Sequence, residues 1–159
     1  MYERDVKSMD LVLANSIKTQ MRIKKFLGID STVLYPPADL EKFKFISQKD
    51  YYLSFARLSD AKRVDKIVEA FKIMTDKKLV VIYWENDPQR QKIFDLAKDA
   101  KNIEFITLPW NVWFTDYVWN SIATIYIPID EDFGMSPVES MAAGKPVIWV
   151  NDGWLKESI

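Results

Sequence analysis

Two glutamates eight positions apart, Glu131 and Glu139, bracket the loop Glu131-Asp132-Phe133-Gly134-Met135-Ser136-Pro137. Carboxylates accept hydrogen bonds from hydroxyls, so a pair facing one ligand suits a sugar. Gly134 permits close backbone approach, and Ser136-Pro137 make a favourable helix start. The free N–H groups and positive end of that helix attract an anion. Glu131 would precede the helix and Glu139 would sit within its first turn. The plainer alternative is a capped helix with two solvated acids. A second cluster, Arg57-Leu-Ser-Asp-Ala-Lys62-Arg63, puts three cations in seven residues. Arginine grips phosphate with two parallel hydrogen bonds and lysine acts on it as a point charge. The alternative here is an exposed basic loop.

Composition narrows the chemistry. With no histidine and no cysteine, histidine bases, imidazole or thiolate metal ligands and a Ser-His-Asp triad are excluded within this chain. The 22 basic and 23 acidic side chains give a net charge of −1, which argues against general nucleic-acid binding. The charge is uneven: residues 102–159 carry two basic and eight acidic side chains, so the first two-thirds is net positive. That split is either ordinary variation or the mark of an anion site early and a hydroxyl-binding acidic site late. Only 4 glycines stand against 6 tryptophans in 159 residues, where glycine usually supplies about 7% of positions.

The N-terminus is charged from its third residue and has no apolar leader core. The longest apolar run, about residues 122–129, falls far short of the ~20 residues of a membrane-spanning helix. A cysteine-free chain without such segments reads as cytoplasmic.

The elements that position the two clusters follow from periodicity. Asp10–Ala14 reads as a short strand, followed by a helix capped by Ser16 and stopped at Gly28. Thr32–Tyr35 is extended and ends at Pro36-Pro37. From residue 51, strands at 51–56, 79–83, 103–107, 123–127 and 146–150 alternate with helices. The first carries Val64, Ile67, Val68, Phe71 and Met74 at helical spacing. The others begin near Pro88, Tyr117 and Ser136, the last stopped by Gly144, and residues 154–159 start another. This alternation predicts an α/β, Rossmann-like doubly wound domain, with a mostly parallel sheet and helices on both faces. Ligands of such sheets bind at the carboxyl ends of the strands, so the loops after residues 56, 83, 107, 127 and 150 are the ones to watch.

Taken together, the motifs resemble those of a known family. Arg57-x4-Lys62 with the following Val64-Asp-Lys-Ile-Val-Glu69-Ala-Phe71 resembles the R-x4-K segment of retaining GT-B glycosyltransferases, the large group often called family 4. Glu131-x7-Glu139 with its internal Phe-Gly resembles that family's E-x7-E motif. Asp10-Leu-Val-Leu-Ala-Asn15-Ser16 and Val33-Leu-Tyr-Pro-Pro37 resemble the end of its N-terminal domain and the crossover. The resemblance therefore divides the chain into residues 1–37, closing the N-terminal domain, and residues 38–159, a nucleotide-sugar-binding domain cut short at its C-terminus.

What the resemblance implies can be stated residue by residue. Arg57 and Lys62 would bind the diphosphate of a nucleotide-sugar donor and stabilise charge on the leaving group, in place of a metal; no cofactor is implied. Glu131 would contact the donor sugar, and with Arg57 and Lys62 it would form the catalytic set. Phe133, Gly134, Met135 and Ser136 would hold sugar hydroxyls and phosphate through their backbone amides, and Glu139 would accept hydrogen bonds from the ribose. Residues 108–112 correspond to a base-contacting loop, with no individual residue carried over. The implied reaction is hexosyl transfer with retention of configuration to an acceptor glycan or lipid. The donor would be GDP-mannose or a UDP-sugar, and Lys62-Arg63-Val64-Asp65 looks most like the mannosyltransferases. Peripheral association with the inner face of a membrane is compatible with this. Such enzymes have two domains, so the 159-residue chain alone is expected to lack turnover, which an activity assay checks. Where the family often has glycine or a small residue, this chain has Trp84, Trp110, Trp149 and Trp154; these either stack on a base or sugar or pack in the core. The rival readings are a non-catalytic nucleotide-sugar or partner-binding module and a sugar-nucleotide epimerase of the same fold. A dinucleotide oxidoreductase lacks its glycine fingerprint here.

Overall fold

Each apolar segment after residue 50 is followed by an amphipathic one that returns the chain to the starting edge of the sheet, so successive strands must pair in parallel. The computed structural model describes residues 2–43, 45–108 and 114–151. It opens with α1 (Tyr2–Lys7), β1 (Leu13–Ala14), α2 (Ile17–Leu27) and β2 (Thr32–Val33). The strands β1 and β2 pair in parallel as a sheet of their own. Ser16 caps α2 by accepting from the Thr19 amide, and Gly28 ends it in the left-handed conformation at φ +72°. Both ends match the sequence reading; α1 carries no apolar periodicity and was not expected.

The main sheet holds β3 (Tyr51–Ser54), β4 (Lys78–Tyr83), β5 (Ile103–Thr107), β6 (Thr124–Tyr126) and β7 (Val147–Trp149). Its order is β5-β4-β3-β6-β7 and every pairing is parallel. The strand order reverses between β3 and β6, which makes the carboxyl ends of those two strands the topological switch point. Helices α3 (Val64–Ile73) and α4 (Arg90–Ala97) pack on one face, α5 (Thr115–Asn120) and α6 (Met135–Ala142) on the other. Alternation along β4 supplies both cores: Leu79 and Val81 join Val64, Ile67, Val68 and Phe71, while Val80 and Ile82 join Leu53, Phe55 and Val118.

Several boundaries shift by one to three residues. The helix expected from Ser136 starts at Met135, because Gly134 at φ +75° provides the turn in front of it. Glu139 therefore lies in the second turn, not the first. The helix expected from Tyr117 starts at Thr115. Gly144, the expected stop of α6, sits at φ +68° against Phe45. Eight helical residues carry the chain ~12 Å away from the switch point before that glycine is reached. The helix expected over 154–159 lies outside the described residues.

Ser54 at the end of β3 is fully buried, and its hydroxyl finds no hydrogen-bond partner among the described residues. An unpaired buried hydroxyl costs on the order of 1–3 kcal/mol. Ser54→Ala is therefore expected to raise stability by about 1 kcal/mol, read as a higher urea midpoint at unchanged m-value.

Candidate functional site

A cleft of about 410 Å³ opens at the switch point. It is lined by Arg57 and Lys62 from the loop after β3, Trp84 after β4, Tyr126 at the end of β6, and residues 131–136 leading into α6. Asn15 and Pro36 line it from the N-terminal segment. The structure thus brings together seven of the eight residues singled out in sequence. The eighth, Glu139, is half-buried and sets back one turn into α6, outside the lining.

Lys62 is aimed inward by the local backbone. It ends a short 3-10 turn (Asp60–Lys62), and Arg63 follows in the left-handed region at φ +54° before α3 begins. The backbone amide of Ile129 donates to Ala61 O at 2.8 Å, which ties the loop after β6 to the loop after β3. Across that seam the Lys62 ammonium pairs with Glu131 and donates to the Tyr126 hydroxyl at 2.9 Å. The Tyr126 hydroxyl in turn donates to Glu131 Oε2 at 2.6 Å. The two ionic side chains keep only 24% and 15% exposure, so this charge-assisted triangle is shielded on most sides.

Its electrostatics follow. Burial pushes the Glu131 carboxyl up, but the hydrogen bonds from Lys62 and Tyr126, with the ammonium charge, hold it below the usual value. Burial, and next the hydrogen bond to Glu131, push the Tyr126 hydroxyl well up, so it stays a neutral donor. Glu139 is raised by burial alone, and its carboxylate has no hydrogen-bond or ionic partner among the described residues. A desolvated, unpaired acceptor of this kind favours a ligand that brings a hydroxyl.

Arg57 is held from the turn that follows the neighbouring strand β4. Its Nε lies 3.5 Å from Oδ1 of Asp87, whose side chain is wholly buried while Arg57 is 63% exposed. The other oxygen, Asp87 Oδ2, accepts from the Trp84 amide at 3.0 Å. The guanidinium tip is left open to the cleft. No side chain caps α6, and the amides of Met135 and Ser136 find no acceptor among the described residues. Pro137, third in the helix, has no N–H to leave unpaired. Two cations and two free amides thus face one concavity with Glu131, an arrangement that holds an anion beside a hydroxyl-bearing group.

Sequence reasoning missed Tyr126, Asp87 and Asn15. Tyr126 stands at the carboxyl end of a strand bordering the switch point, and that position was the available signal. The tryptophans divide: Trp84 lines the cleft, Trp149 and Trp119 pack against the two cores, and Trp110, Trp113 and Trp154 lie outside the described residues. So do most of the expected base-contacting residues 108–112. Among the described residues no group of acids is placed to hold a metal ion, and no helix is long and apolar enough to cross a membrane.

A five-stranded parallel sheet of this order, with its cleft at the switch point, is a doubly wound, Rossmann-like domain of the kind that forms each half of a GT-B fold. Residues 37–159 match the family described as glycosyl transferases group 1, and the chain belongs to that family. It is 26% identical over 152 residues to the O-antigen chain mannosyltransferase RfbU of Salmonella typhimurium. That match covers 90% of this chain and 42% of the relative, so the chain spans less than half of the relative's length. In fold it resembles sucrose-phosphate synthase from Thermosynechococcus elongatus, with a TM-score of 0.82 at 18% identity, over 99% of this chain and 45% of that one. It also resembles HepE of Anabaena, solved with UDP and glucose, with a TM-score of 0.78 at 15% identity, over 94% and 46% of the two chains.

Proposed function

We propose that the cleft binds the diphosphate and hexose of a nucleotide-sugar donor, and that the whole protein transfers that hexose to a glycan or lipid acceptor with retention of configuration. The observation that carries the reading is the convergence of Arg57, Lys62, Glu131 and the α6 amides on one concavity at the switch point. Arg57 and Lys62 take the diphosphate and stabilise the charge that grows on it as the glycosidic bond breaks. The amides of Met135 and Ser136 add two fixed donors beside Gly134, and Phe133 walls the sugar. Glu131 orients the sugar, and Glu139 accepts from the ribose. GDP-mannose is the favoured donor, supported by the similarity to RfbU and by the Lys62–Asp65 stretch.

Calorimetric titration with GDP, UDP and ADP, and with their hexose conjugates, tests this. Micromolar binding of one nucleotide is expected. Hydrogen bonds to charged groups contribute ~1.5–3 kcal/mol, so Arg57→Ala should weaken that binding at least tenfold. Glu139→Ala should weaken the nucleotide but not inorganic diphosphate. Binding of none of these nucleotides would remove the donor-site reading.

A further inference from the structure

Glu131 is the middle of three consecutive acids, and both its neighbours are gripped from α2. Lys18 pairs with the Asp130 carboxylate. Arg22, one turn on, donates to Asp132 at 2.6 Å and lies 3.7 Å from Asp130. Residues four apart share a helix face, so a single face of α2 presents both cations to the loop. The partners are 112 and 110 positions apart in sequence. Asp130 itself sits at φ +53°, a left-handed conformation that aspartate tolerates better than most side chains but still disfavours. Such backbone persists where its surroundings over-determine it. Here the surroundings are Lys18 and Arg22 on one side and the Ile129 amide bonded to Ala61 on the other. Tyr35 adds an aromatic contact to Phe133, with ring centroids 6.1 Å apart.

We propose that Lys18 and Arg22 are positioning residues of the candidate site: through Asp130 and Asp132 they hold the loop that sets Glu131 against Lys62. Donor affinity then depends on a helix that contributes no side chain to the cleft. The inference rests on reading that cleft as the donor site. Exposed ion pairs add little to folding stability, so their loss acts on the loop rather than on the fold. When the loop samples other conformations, apparent affinity falls with the fraction that stays competent.

Two measurements read this, one of them without ligand. In Lys18→Ala/Arg22→Ala, backbone hydrogen exchange is expected to speed up across residues 129–134 and to stay unchanged in β3 and β4. Titration with GDP, UDP and ADP should show about a fivefold to tenfold loss for whichever nucleotide the wild type binds. Arg22→Glu should reproduce the loss, and Arg22→Lys, which keeps a cation on that face of α2, should hold affinity to within about twofold of the wild type. Unchanged exchange in the loop overturns the proposal, and so does a loss of affinity in Arg22→Lys as large as that in Arg22→Glu. Faster loop exchange in the variant, beside a wild type that binds none of GDP, UDP and ADP, upholds the clamp and overturns the donor reading instead.

Discussion

Lys62→Met is expected to weaken nucleoside-diphosphate binding about 100-fold and to lower stability by about 1–2 kcal/mol. Methionine keeps most of the unbranched apolar stem of lysine and removes the ammonium, with its charge and its hydrogen-bond donors. Two consequences follow from one ammonium. The diphosphate loses a shielded cation, and Glu131 loses its ionic partner while remaining mostly buried against Tyr126. Stability and pH separate the two. Glu131 has a folded-state pKa below its ordinary value of 4.5, so the pair stabilises the fold above that value, and the contribution fades as pH falls through the folded pKa. The stability difference between wild type and Lys62→Met should therefore be full at neutral pH and shrink below about pH 4.5. A difference that stays constant from neutral pH down to acid unfolding would mean that the pair does not hold Glu131 ionised. On the donor-site reading, Glu131, which pairs with Lys62, also competes with the diphosphate for it. Glu131→Gln should accordingly leave GDP or UDP affinity unchanged or tighter while weakening the sugar conjugate.

That competition could not be read from the sequence, and the reason is physical. The R-x4-K spacing and the first glutamate of E-x7-E fall on strand-to-helix loops, and parallel-sheet topology then brings those loops to one edge. Proximity of Lys62 and Glu131 follows from topology alone. Their direct pairing depends on side-chain directions set by Arg63 and Asp130, two non-glycine residues at positive φ that no periodicity announces. Tyr126 is invisible for a related reason: as an aromatic inside an apolar run it scores as core, and it is core, except for the hydroxyl that reaches Glu131. Asp87 sits in a turn-rich stretch where aspartate is ordinary, yet its side chain is sealed beneath Arg57.

The strands were legible because parallel strands buried on both faces leave continuous apolar runs, such as Leu79–Tyr83. Helix ends were legible where a cap carries its own chemistry, as at Ser16 and Gly28. They were less so at α6, where serine and proline suggested a start that glycine sets one residue earlier. The clamp from α2 was the least legible feature. Lys18 and Arg22 look like solvated charges on an amphipathic helix, and only the fold reveals the acids they meet.

The largest loss of stability is expected at Leu53, on the central strand that carries Arg57 and Lys62 out to the cleft. Leu53 has no exposure; it lies in register with Val80 on one side and Thr124 on the other and shares a core with Phe55, Ile82 and Val118. Truncating a fully buried leucine costs the transfer of its lost atoms plus the cavity left behind, about 3 kcal/mol here. For a chain of this size that corresponds to a fall in melting temperature of roughly 6–12 °C. Ile148, on the edge strand β7 at 47% exposure, is the matched control. Ile148→Ala should cost no more than about 0.5–1 kcal/mol, because much of its side chain already meets water. Melting curves of the two variants decide the point. Near-equal losses would mean that β3 is not the central strand of a doubly covered sheet, and the switch point between β3 and β6 would lose its basis. A large loss at Leu53 alone ties the site to the core directly, since the strand that anchors the domain is the strand whose end delivers both cations.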